Sequence, residues 1–439
     1  TYDLFHEGHY KLLERAKALG DYLIVGVTTE HFDEWRGKIN VVDPIMKRIE
    51  NVKKTGFADM IIVEDHEGQK IEDIQKYGVD IFTVGSDWVG TFDYLKAFCD
   101  VVYLDRTPNI SSTMLRGSNY KITKMGIVGT GRIAERFVAE ARYASGLIVT
   151  SAYNPDIESV NKFKKKCSEY EIAIETEQYD RFLENVDAVY IASTHETHYD
   201  YVKKALLAHK HVLCEKPLAF TKKDSEELYD IASDNNVVLM EAIKAAYCPG
   251  FQQLLNVVQS GKIGEICDVE ACFSRIASVN SRERTDAKYG GAFLEFGSYT
   301  LLPIIKLLGT DYRDIHFDTI YDENGVDLYT KVYMSYDNAM ALSKNGVAVK
   351  SEGQLVIAGT KGYILAPSPW WLTRRFEVHY EDSSRVEVYE PIFQGDGFRY
   401  EISDFVSKIN GIDKNGYKLT AEEAIAMAEV TEAYMKQKR

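Results

Sequence analysis

At 439 residues the chain predicts two or three domains, and its 45% hydrophobic and 27% charged residues exclude a disordered polymer. The formal net charge of −15 disfavours nucleic acid and anionic membranes as partners, and no apolar run approaches the about 18 residues of a membrane span. The sequence opens without a signal-peptide pattern and its six cysteines form no C-x-x-C pair, so we expect a cytoplasmic location, reduced thiols and no metal site.

The first 120 residues alternate short β-branched runs with stretches in which apolar residues recur three and four positions apart. This rhythm is typical of βαβ units on a parallel sheet. The pattern lapses into a polar stretch at residues 116–121, so we expect a first domain at 1–117. The predicted strands are 22–27, 60–63, 81–84 and 101–104, and the predicted helices are 10–19, 44–54 and 71–77.

From residue 122 to residue 241 the βαβ rhythm resumes, which predicts a second domain with a parallel sheet. Longer alternating runs in residues 242–439 favour a largely antiparallel sheet, with a last helix at 421–438 folded back on it. The sequence therefore predicts an α/β protein in which two doubly wound domains precede an α+β domain. The predicted strands are 122–128, 147–153, 188–192, 211–214 and 237–240, then 266–275, 331–336, 354–358 and 376–379.

Two histidines, His6 and His9, lie three residues apart at the start of the first predicted helix. This spacing places both imidazoles on one face of the first turn. A helix N-terminus offers free N–H groups and a partial positive charge, so the pair suits a triphosphate, and Gly8 lets a ligand approach the backbone closely. The four residues alone also fit a chance pattern, a structural cap or two of four metal ligands.

The surroundings of this pair resemble the glycerol-3-phosphate cytidylyltransferase family. The likeness rests on three segments in the same order, at residues 2–9 (YDLFHEGH), 84–93 (VGSDWVGTFD) and 106–113 (RTPNISST). It implies a doubly wound nucleotidyltransferase fold over residues 1–117. It also implies transfer of a cytidylyl group from CTP, with Mg²⁺, to a polyol phosphate such as glycerol 3-phosphate, with release of pyrophosphate.

The same resemblance assigns roles to individual residues. Without it, Lys38 and Arg48 are better explained as solvated charges, and Trp88 fits packing as well as ligand contact. This family normally begins with a strand and a glycine before its Thr-Tyr-Asp step, so we expect that the first strand of this domain is missing from the sequence. The residues implied in CTP binding or catalysis are His6, Gly8, His9, Lys38, Arg48, Asp87, Arg106, Ser111, Ser112 and Thr113.

A dinucleotide-binding pattern opens the second domain. Gly129, Gly131 and Ala134 form G-x-G-x-x-A between a predicted strand and a predicted helix at 133–144, which is the context this motif requires. The next strand ends near Asn154. This is the position expected to contact the ribose, and it holds neither an acidic residue nor an arginine. The cofactor is therefore NAD or NADP, and the lack of an arginine favours NAD.

From this point the chain resembles the Gfo/Idh/MocA oxidoreductases, through residues 190–198 (YIASTHETH), 208–219 (AHKHVLCEKPLA) and 290–299 (GGAFLEFGSY). The resemblance implies a Rossmann domain at 122–241 and an α+β domain at 242–439 for substrate binding and assembly into a homo-oligomer. It makes Lys216 the proton donor during hydride transfer, Tyr299 its acid/base partner and Glu295 the residue that orients the substrate. The implied cofactor contacts, besides the glycine motif and Asn154, are Ser193, His198, Glu215 and Lys216.

Several positions depart from that family's pattern and leave the substrate open: Glu295 stands for an aspartate, Thr194 for a proline, and Ala246 and Cys248 for an arginine and a histidine. Two enzymes on one chain suggest successive steps, in which a phosphorylated ketose or sugar is reduced and the resulting polyol phosphate is converted to a CDP-polyol. Such CDP-polyols would supply teichoic-acid-like or capsular polymers. The alternatives are that one domain only senses nucleotides, or that the reductase acts on the CDP-linked product.

Overall fold

The computed structural model describes residues 1–29, 32–33, 41, 43–66, 68–104, 122–144, 146–168, 172–175, 178–391, 393–411 and 418–438. The chain divides into two compact units, Thr1–Ile122 and Thr123–Arg439. Within the described ranges, none of the helices combines the length and the apolar composition that crossing a bilayer requires.

The first unit is built from parallel strand pairs and amphipathic helices. Strand β1 (Ile24–Thr28) pairs with β2 (Met60–Glu64), and β3 (Ile81–Gly85) pairs with β4 (Asp100–Leu104). The helices are α1 (Glu7–Lys17), α2 (Ile45–Lys54) and α3 (Gln69–Tyr77). These elements confirm the predicted ones to within three residues at each end. The described strands form two separate pairs, whereas the alternation predicted one sheet.

A small core joins the helices of this unit to its first strand pair. Leu13 of α1, Val25 and Val27 of β1 and Val52 of α2 are buried together. Val25 and Val27 are two residues apart, so they project from the same face of β1. This packing fixes the start of α1, where the predicted histidine pair lies.

The second unit begins with a six-stranded parallel sheet in the order β10-β9-β8-β5-β6-β7. β5 is central, and the chain continues from it to β6 on one side and returns to β8 on the other. Ligands of such sheets bind at the carboxyl ends of the strands where the order reverses. The strands are β5 (Thr123–Val128), β6 (Leu147–Tyr153), β7 (Ala173–Glu175), β8 (Ala188–Ile191), β9 (His211–Glu215) and β10 (Leu239–Ala242). The helices are α4 (Arg132–Ala141), α5 (Ile157–Lys166), α6 (Tyr179–Glu184), α7 (His198–Leu207) and α8 (Lys222–Asp234).

An eight-stranded sheet follows in the order β12-β13-β14-β11-β15-β16-β17-β18. All neighbouring strands are antiparallel except β11 and β14, so the predicted, largely antiparallel sheet is confirmed. Its strands are β11 (Ile266–Ser274), β12 (Asp314–Tyr321), β13 (Asp327–Ser335), β14 (Met340–Gly346), β15 (Leu355–Gly359), β16 (Gly362–Ala366), β17 (Phe376–Tyr380) and β18 (Val386–Tyr389). The helices are α9 (Pro249–Gln259), α10 (Arg282–Thr285), α11 (Ala292–Leu308), α12 (Phe398–Ile409) and α13 (Ala421–Lys438). Short 3₁₀ turns are Ser86–Trp88, Asp93–Ala97, His195–Thr197, Lys244–Tyr247 and Trp370–Leu372.

The last helix, α13, has the predicted bounds, but its packing differs from the expectation. It lies along α8 and α11 and meets the sheet at β12, where the Tyr434 ring is 5.6 Å from Phe317. One hydrophobic core includes both Phe137 of α4 and Trp370 of the 3₁₀ turn Trp370–Leu372, so it joins the parallel sheet to the antiparallel one. Helix α13 therefore packs mainly against other helices, and it contacts the sheet at β12.

Candidate active sites

The two histidines predicted to bind a triphosphate lie together in the first unit. His6 is the N-cap of α1, where its Nδ1 accepts a hydrogen bond of 3.0 Å from the N–H of Gly8. The rings of His6 and His9 stack, with centroids 3.9 Å apart. Both imidazoles are half-buried at the start of a helix, an arrangement that suits an anionic ligand.

The segment that leads into this helix is held by reciprocal hydrogen bonds. The Asp3 Oδ1 accepts from the N–H of Asp43 (2.8 Å), and the N–H of Leu4 donates to the Asp43 Oδ2 (3.1 Å). Tyr2 and Leu4 adopt left-handed backbone angles, with φ of 55° and 47°. Such conformations are uncommon outside glycine and cluster at functional sites. This segment is therefore fixed next to His6.

Arg48, which was expected to neutralise charge on the phosphates, is part of a buried ion pair. The side chain is fully buried, and its Nη1 donates to the Asp33 Oδ2 (2.9 Å) and to the Thr28 carbonyl (2.9 Å). Asp33 is also fully buried, so the two charges balance each other inside the unit. Arg48 is thus the partner of a buried carboxylate, and its expected role at the phosphates stays a prediction.

Several predicted CTP contacts lie outside the described residues. Trp88 is 37% exposed, and its ring lies 5.9 Å from that of Phe92, which agrees with a packing role at the surface. Asp87 belongs to the 3₁₀ turn Ser86–Trp88, but its side chain is outside the described part. The other predicted residues outside it are Lys38, Arg106, Ser111, Ser112 and Thr113.

In the second unit the glycine motif forms a tight turn between β5 and α4. Gly129 has φ of +90°, and a Cβ there would lie 2.5 Å from the Ala192 carbonyl oxygen, so the turn requires glycine. A Cβ on Gly131 would meet no atom within 4 Å among the described residues, which leaves space in front of the first turn of α4. Ala134 is fully buried where α4 packs on the sheet. The turn therefore fits a pyrophosphate at the helix N-terminus.

At the end of β6, Asn154 lies where the motif places the ribose. Its Nδ2 donates to the Thr130 Oγ1 (2.7 Å), and its Oδ1 accepts from the N–H of Asp156 (2.9 Å). The Thr130 Oγ1 is also 2.7 Å from the Ser159 Oγ. Asn154, Thr130 and Ser159 thus form a hydrogen-bonded chain of neutral side chains at this position, and together with the glycine turn they fit a dinucleotide.

His198 and Ser193 connect the loops that follow β8 and β9. The His198 ring is fully buried, with Nδ1 2.8 Å from the Pro217 carbonyl and Nε2 3.2 Å from the Ser193 carbonyl. Burial lowers the pKa of His198, so the ring is neutral and donates one hydrogen bond. His198 therefore ties the loop that follows β9 to the loop that follows β8, and its expected contact with the cofactor stays a prediction.

Lys216, the predicted proton donor, reaches across to α11. Its Nζ donates to the Glu295 carbonyl (2.7 Å) and lies 3.6 Å from the Glu295 Oε2. The helix is itself anchored by Asp327, whose carboxylate accepts from the N–H groups of Ala292 (2.6 Å) and Phe293 (2.9 Å). This cap satisfies the first turn of α11 and fixes the residue that Lys216 contacts.

Tyr299 lies one helical turn beyond Glu295 on α11. Burial, and secondly the nearby Glu215 carboxylate, raise the pKa of Tyr299 well above its usual value. Burial raises the pKa of Glu215 too, against the opposing charge of Lys216, and the Tyr190 hydroxyl donates to the Glu215 Oε1 (2.5 Å). Tyr299 is therefore a neutral phenol that can donate a hydrogen bond, and it lies on the same helix as Glu295, the residue that Lys216 contacts.

His195 was not predicted as a site residue, although it lies in a segment used for the resemblance. Burial first, and then the positive charges of Lys216 and Arg282, hold the pKa of His195 well below its usual range. Its Nδ1 is buried and has no hydrogen-bond partner in the part of the chain that the structure describes. A neutral imidazole beside Lys216 can accept a hydrogen bond from a substrate hydroxyl. The sequence signal that could have identified His195 was this segment, in which two histidines follow a buried strand.

Two of the four departures from the expected pattern, Ala246 and Cys248, lie at one buried turn. Ala246 and Cys248 are fully buried, and the Cys248 thiol donates to the Lys244 carbonyl (3.1 Å). Lys244 begins this turn, and its Nζ donates to the Asp396 carbonyl (2.8 Å). Burial, and secondly the charge of Arg136, lower the pKa of Lys244. Lys244 thus supplies an amino group two residues before Ala246, the position at which the family often has an arginine.

Three family models match the sequence. The cytidylyltransferase-like family matches residues 1–118. The oxidoreductase family with an NAD-binding Rossmann fold matches residues 123–243, and the GFO/IDH/MocA C-terminal domain matches residues 251–365. The two halves of the chain are therefore similar to two different classes of enzyme.

Individual relatives agree with this division. Glycerol-3-phosphate cytidylyltransferase of Staphylococcus aureus is 42% identical over 120 residues, which are 27% of this chain and 90% of that enzyme. The scyllo-inositol 2-dehydrogenase (NADP(+)) of Bacillus subtilis is 28% identical over 322 residues, which are 72% of this chain and 96% of that enzyme. A 3-ketoreductase from Actinomadura kijaniata, solved with TDP-benzene and NADP, superimposes with a TM-score of 0.61 at 21% identity, covering 71% of this chain and 96% of that one. At 21% identity, this structural similarity establishes the fold alone.

Proposed function

Because the chain belongs to the glycerol-3-phosphate cytidylyltransferase family in its N-terminal part and continues as a GFO/IDH/MocA oxidoreductase domain, we propose that it is a bifunctional enzyme that makes a CDP-polyol. The oxidoreductase would reduce a phosphorylated ketose or sugar, and the cytidylyltransferase would transfer CMP from CTP to the resulting polyol phosphate. We assign residues 1–117 to the second reaction and residues 122–241 and 242–439 to the first. Both would occur in the cytoplasm.

The observation that carries the redox half is the bond between Lys216 and the start of α11. A bound nicotinamide dinucleotide would supply the hydride. Gly129, Gly131 and Asn154 would hold that dinucleotide, and Lys216 would lie at the carboxyl end of β9 with its ammonium directed toward the substrate oxygen. Glu295 would orient the substrate, and the neutral Tyr299 phenol would share the proton with Lys216.

The stacked histidines support the cytidylyl half. In this reaction a phosphate oxygen of the polyol phosphate attacks the α-phosphorus of CTP, and pyrophosphate leaves. The protein contributes by holding the phosphates and balancing their charge. His6 and His9 lie at a helix start with their rings 3.9 Å apart, which places two imidazoles beside the free N–H groups of α1. Mg²⁺ would accompany CTP as its counterion.

The nicotinamide type and the assembly state stay predictions. The lack of a nearby arginine in the sequence after Asn154 is the basis for favouring NAD, and an assay with both cofactors decides between NAD and NADP. A homo-oligomer is likewise expected and can be measured by light scattering. The CDP-polyol product would supply an envelope polymer, such as a teichoic acid or a capsule.

Oxidation of NADH and NADPH with a panel of phosphorylated ketoses tests the redox half. We expect turnover with at least one ketose and a loss of at least about 10²-fold in the Lys216→Met variant. The matched control is Lys222→Met, because Lys222 lies six residues further on in an exposed ion pair with Glu429. A Lys216→Met variant as fast as the control would remove the assigned proton donor.

Pyrophosphate release from CTP and Mg²⁺ tests the transferase half, with glycerol 3-phosphate and other polyol phosphates as acceptors. We expect release only when an acceptor is present. Reduction of a CDP-linked ketose but of no free ketose phosphate would place the redox step after the transfer. Binding of CTP or NADH in calorimetry without turnover in that half would show a nucleotide sensor instead.

A further inference from the structure

A buried tyrosine lies between the helix that follows the glycine turn and the loop that carries Lys216. Tyr190 belongs to β8 and is fully buried, although its side chain ends in a polar hydroxyl. A buried tyrosine usually finds a hydrogen-bond partner for this hydroxyl. Here the partner is a carboxylate, because the hydroxyl donates to the Glu215 Oε1 at 2.5 Å. The proposed reduction gives Tyr190 no role so far.

The register of the parallel sheet explains why these two side chains meet. Tyr190 on β8 pairs with Leu213 on β9. Side chains two residues apart on a strand project from the same face, so Glu215 lies on the same face of the sheet as Leu213. Tyr190 and Leu213 belong to one hydrophobic core, which lies on that face. The Tyr190 hydroxyl therefore reaches the last residue of β9, which immediately precedes Lys216.

The ring of the same tyrosine packs against α4, the helix that follows the glycine turn. The rings of Tyr190 and Phe137 are stacked, with centroids 3.7 Å apart and planes 12° apart. Phe137 is fully buried and lies on α4. Because protein cores are close-packed, a shift of α4 displaces the ring that stacks on it. One side chain thus contacts both the helix proposed to hold the pyrophosphate and the residue that precedes Lys216.

The backbone on the other side of Lys216 is held by two further side chains. The Pro217 carbonyl lies 2.8 Å from the His198 Nδ1, and the Leu218 N–H donates to the Glu241 Oε1 at 3.0 Å. These contacts fix the chain after the lysine, and the hydrogen bond from the tyrosine fixes it before the lysine. The lysine side chain itself is directed to α11, where its Nζ donates to the Glu295 carbonyl at 2.7 Å.

We propose that Tyr190 is a positioning residue of the reductase, which connects α4 to the Lys216 loop through its hydrogen bond to Glu215. The stack on Phe137 sets the tyrosine ring relative to α4, and the hydroxyl sets Glu215 relative to that ring. Lys216 is thereby held in a defined position relative to the helix that would bind the dinucleotide. This inference rests on the proposed reductase activity, in which a misplacement of about 1 Å can lower the rate about 10²-fold.

The variant Tyr190→Phe removes the hydrogen bond and keeps the ring that stacks on Phe137. In ketone reduction we expect kcat to fall at least about tenfold, while the KM for the reduced dinucleotide stays within about twofold because the glycine turn is untouched. The matched control is Tyr179→Phe, since Tyr179 is buried in the same unit and its hydroxyl donates to the Tyr201 carbonyl at 3.1 Å. The control should keep the parental kcat. A parental kcat in Tyr190→Phe would overturn the proposal.

A double-mutant cycle tests whether Tyr190 acts through Glu215. The double variant Tyr190→Phe with Glu215→Leu should have the same kcat as Glu215→Leu alone, because the hydroxyl has no carboxylate left to hold. Glu215→Gln keeps a side-chain carbonyl that can accept from the hydroxyl, so it should lose less of the rate than Glu215→Leu. Losses that add in the double variant would show that the tyrosine acts by another route.

A measurement without substrate examines the position of Lys216 directly. Acetic anhydride labels amino groups, and peptide mass spectrometry compares the labelling of Lys216 with that of Lys222, whose ion pair with Glu429 is exposed. Lys216 is 9% exposed, so it should react more slowly than Lys222 in the parent. The ratio of Lys216 to Lys222 labelling should rise in Tyr190→Phe, because the loop opens more readily without its hydrogen bond.

This ratio separates the inference from the proposed function. In the control Tyr179→Phe it should keep its parental value. If the parent reduces no ketone, the proposed function fails, and the labelling ratio still decides whether Tyr190 positions Lys216. An unchanged ratio in Tyr190→Phe would overturn the positioning role whether or not the parent is active.

Discussion

The two candidate sites differ in how much of the chain builds them. In the first unit His6 and His9 share one helical turn, and the cap from Gly8 to His6 is made within three residues. In the second unit, the bond from Lys216 to Glu295 joins residues that are 79 positions apart. A site of the first kind depends on local geometry, whereas one of the second kind depends on every element that fixes β9 and α11. Remote substitutions should therefore damage the redox site more readily than the transferase site.

The largest expected effect tests whether the first unit also depends on a non-local contact. Arg48→Met removes the buried guanidinium that pairs with Asp33, so we expect a loss of about 3 to 5 kcal/mol in the stability of that unit. Urea unfolding measures this loss. Lys54→Met on the same helix is the control, since its ion pair with Glu50 is exposed and contributes about 1 kcal/mol or less.

The double change Arg48→Met with Asp33→Leu should recover most of that loss, because no unpaired charge is then buried. NADH oxidation should stay at the parental rate in all three variants. Full stability in Arg48→Met together with a loss of CTP turnover would instead return Arg48 to its predicted role at the phosphates.

The second prediction concerns the remote support of the redox site. Asp327→Ala removes the acceptor of two α11 N–H groups and of the Tyr434 hydroxyl, so we expect a loss of about 3 kcal/mol and a lower rate of ketone reduction. Thermal unfolding and NADH oxidation measure the two effects. Asp318→Ala on the exposed side of β12 should change neither of them. Parental reduction rates in Asp327→Ala would mean that α11 is held by other contacts.

The third prediction separates capping from chemistry in the first unit. His6→Asn keeps a good N-cap residue but removes the imidazole, so stability should hold while pyrophosphate release falls about 10²-fold. The control is His66→Asn, because His66 is an exposed residue outside the pair. Equal loss of Tm and of activity in His6→Asn would show that the imidazole serves mainly as a cap.

The contrast between the sites also explains how much the sequence could predict. The strand Leu147–Tyr153 and the helix Ala421–Lys438 were predicted with their observed bounds, because hydrophobic periodicity is a local property. The pairing of His6 with His9 followed from their spacing on one helix. Local signals of this kind need no knowledge of the tertiary fold.

Features that depend on the tertiary fold escaped prediction. Nothing in the sequence near Arg48 indicates that Asp33 would neutralise it, and the packing of α13 on α8 and α11 was not apparent from its periodicity. Buried charges are therefore the part of both sites that sequence patterns reveal least.

The smallest expected effect sharpens the cofactor assignment at Asn154. A carboxylate at this position can accept hydrogen bonds from a ribose 2′-hydroxyl and repels a 2′-phosphate. Asn154→Asp keeps an acceptor for the N–H of Asp156, and the Thr130 hydroxyl, which accepts from the Asn154 Nδ2, can rotate to donate to the new carboxylate, so the local fold should persist. We expect the ratio of kcat/KM for NADH to that for NADPH to rise about tenfold, equivalent to about 1.4 kcal/mol. Asn154→Arg should shift the ratio the other way, and a ratio that neither substitution moves would place the ribose away from the end of β6.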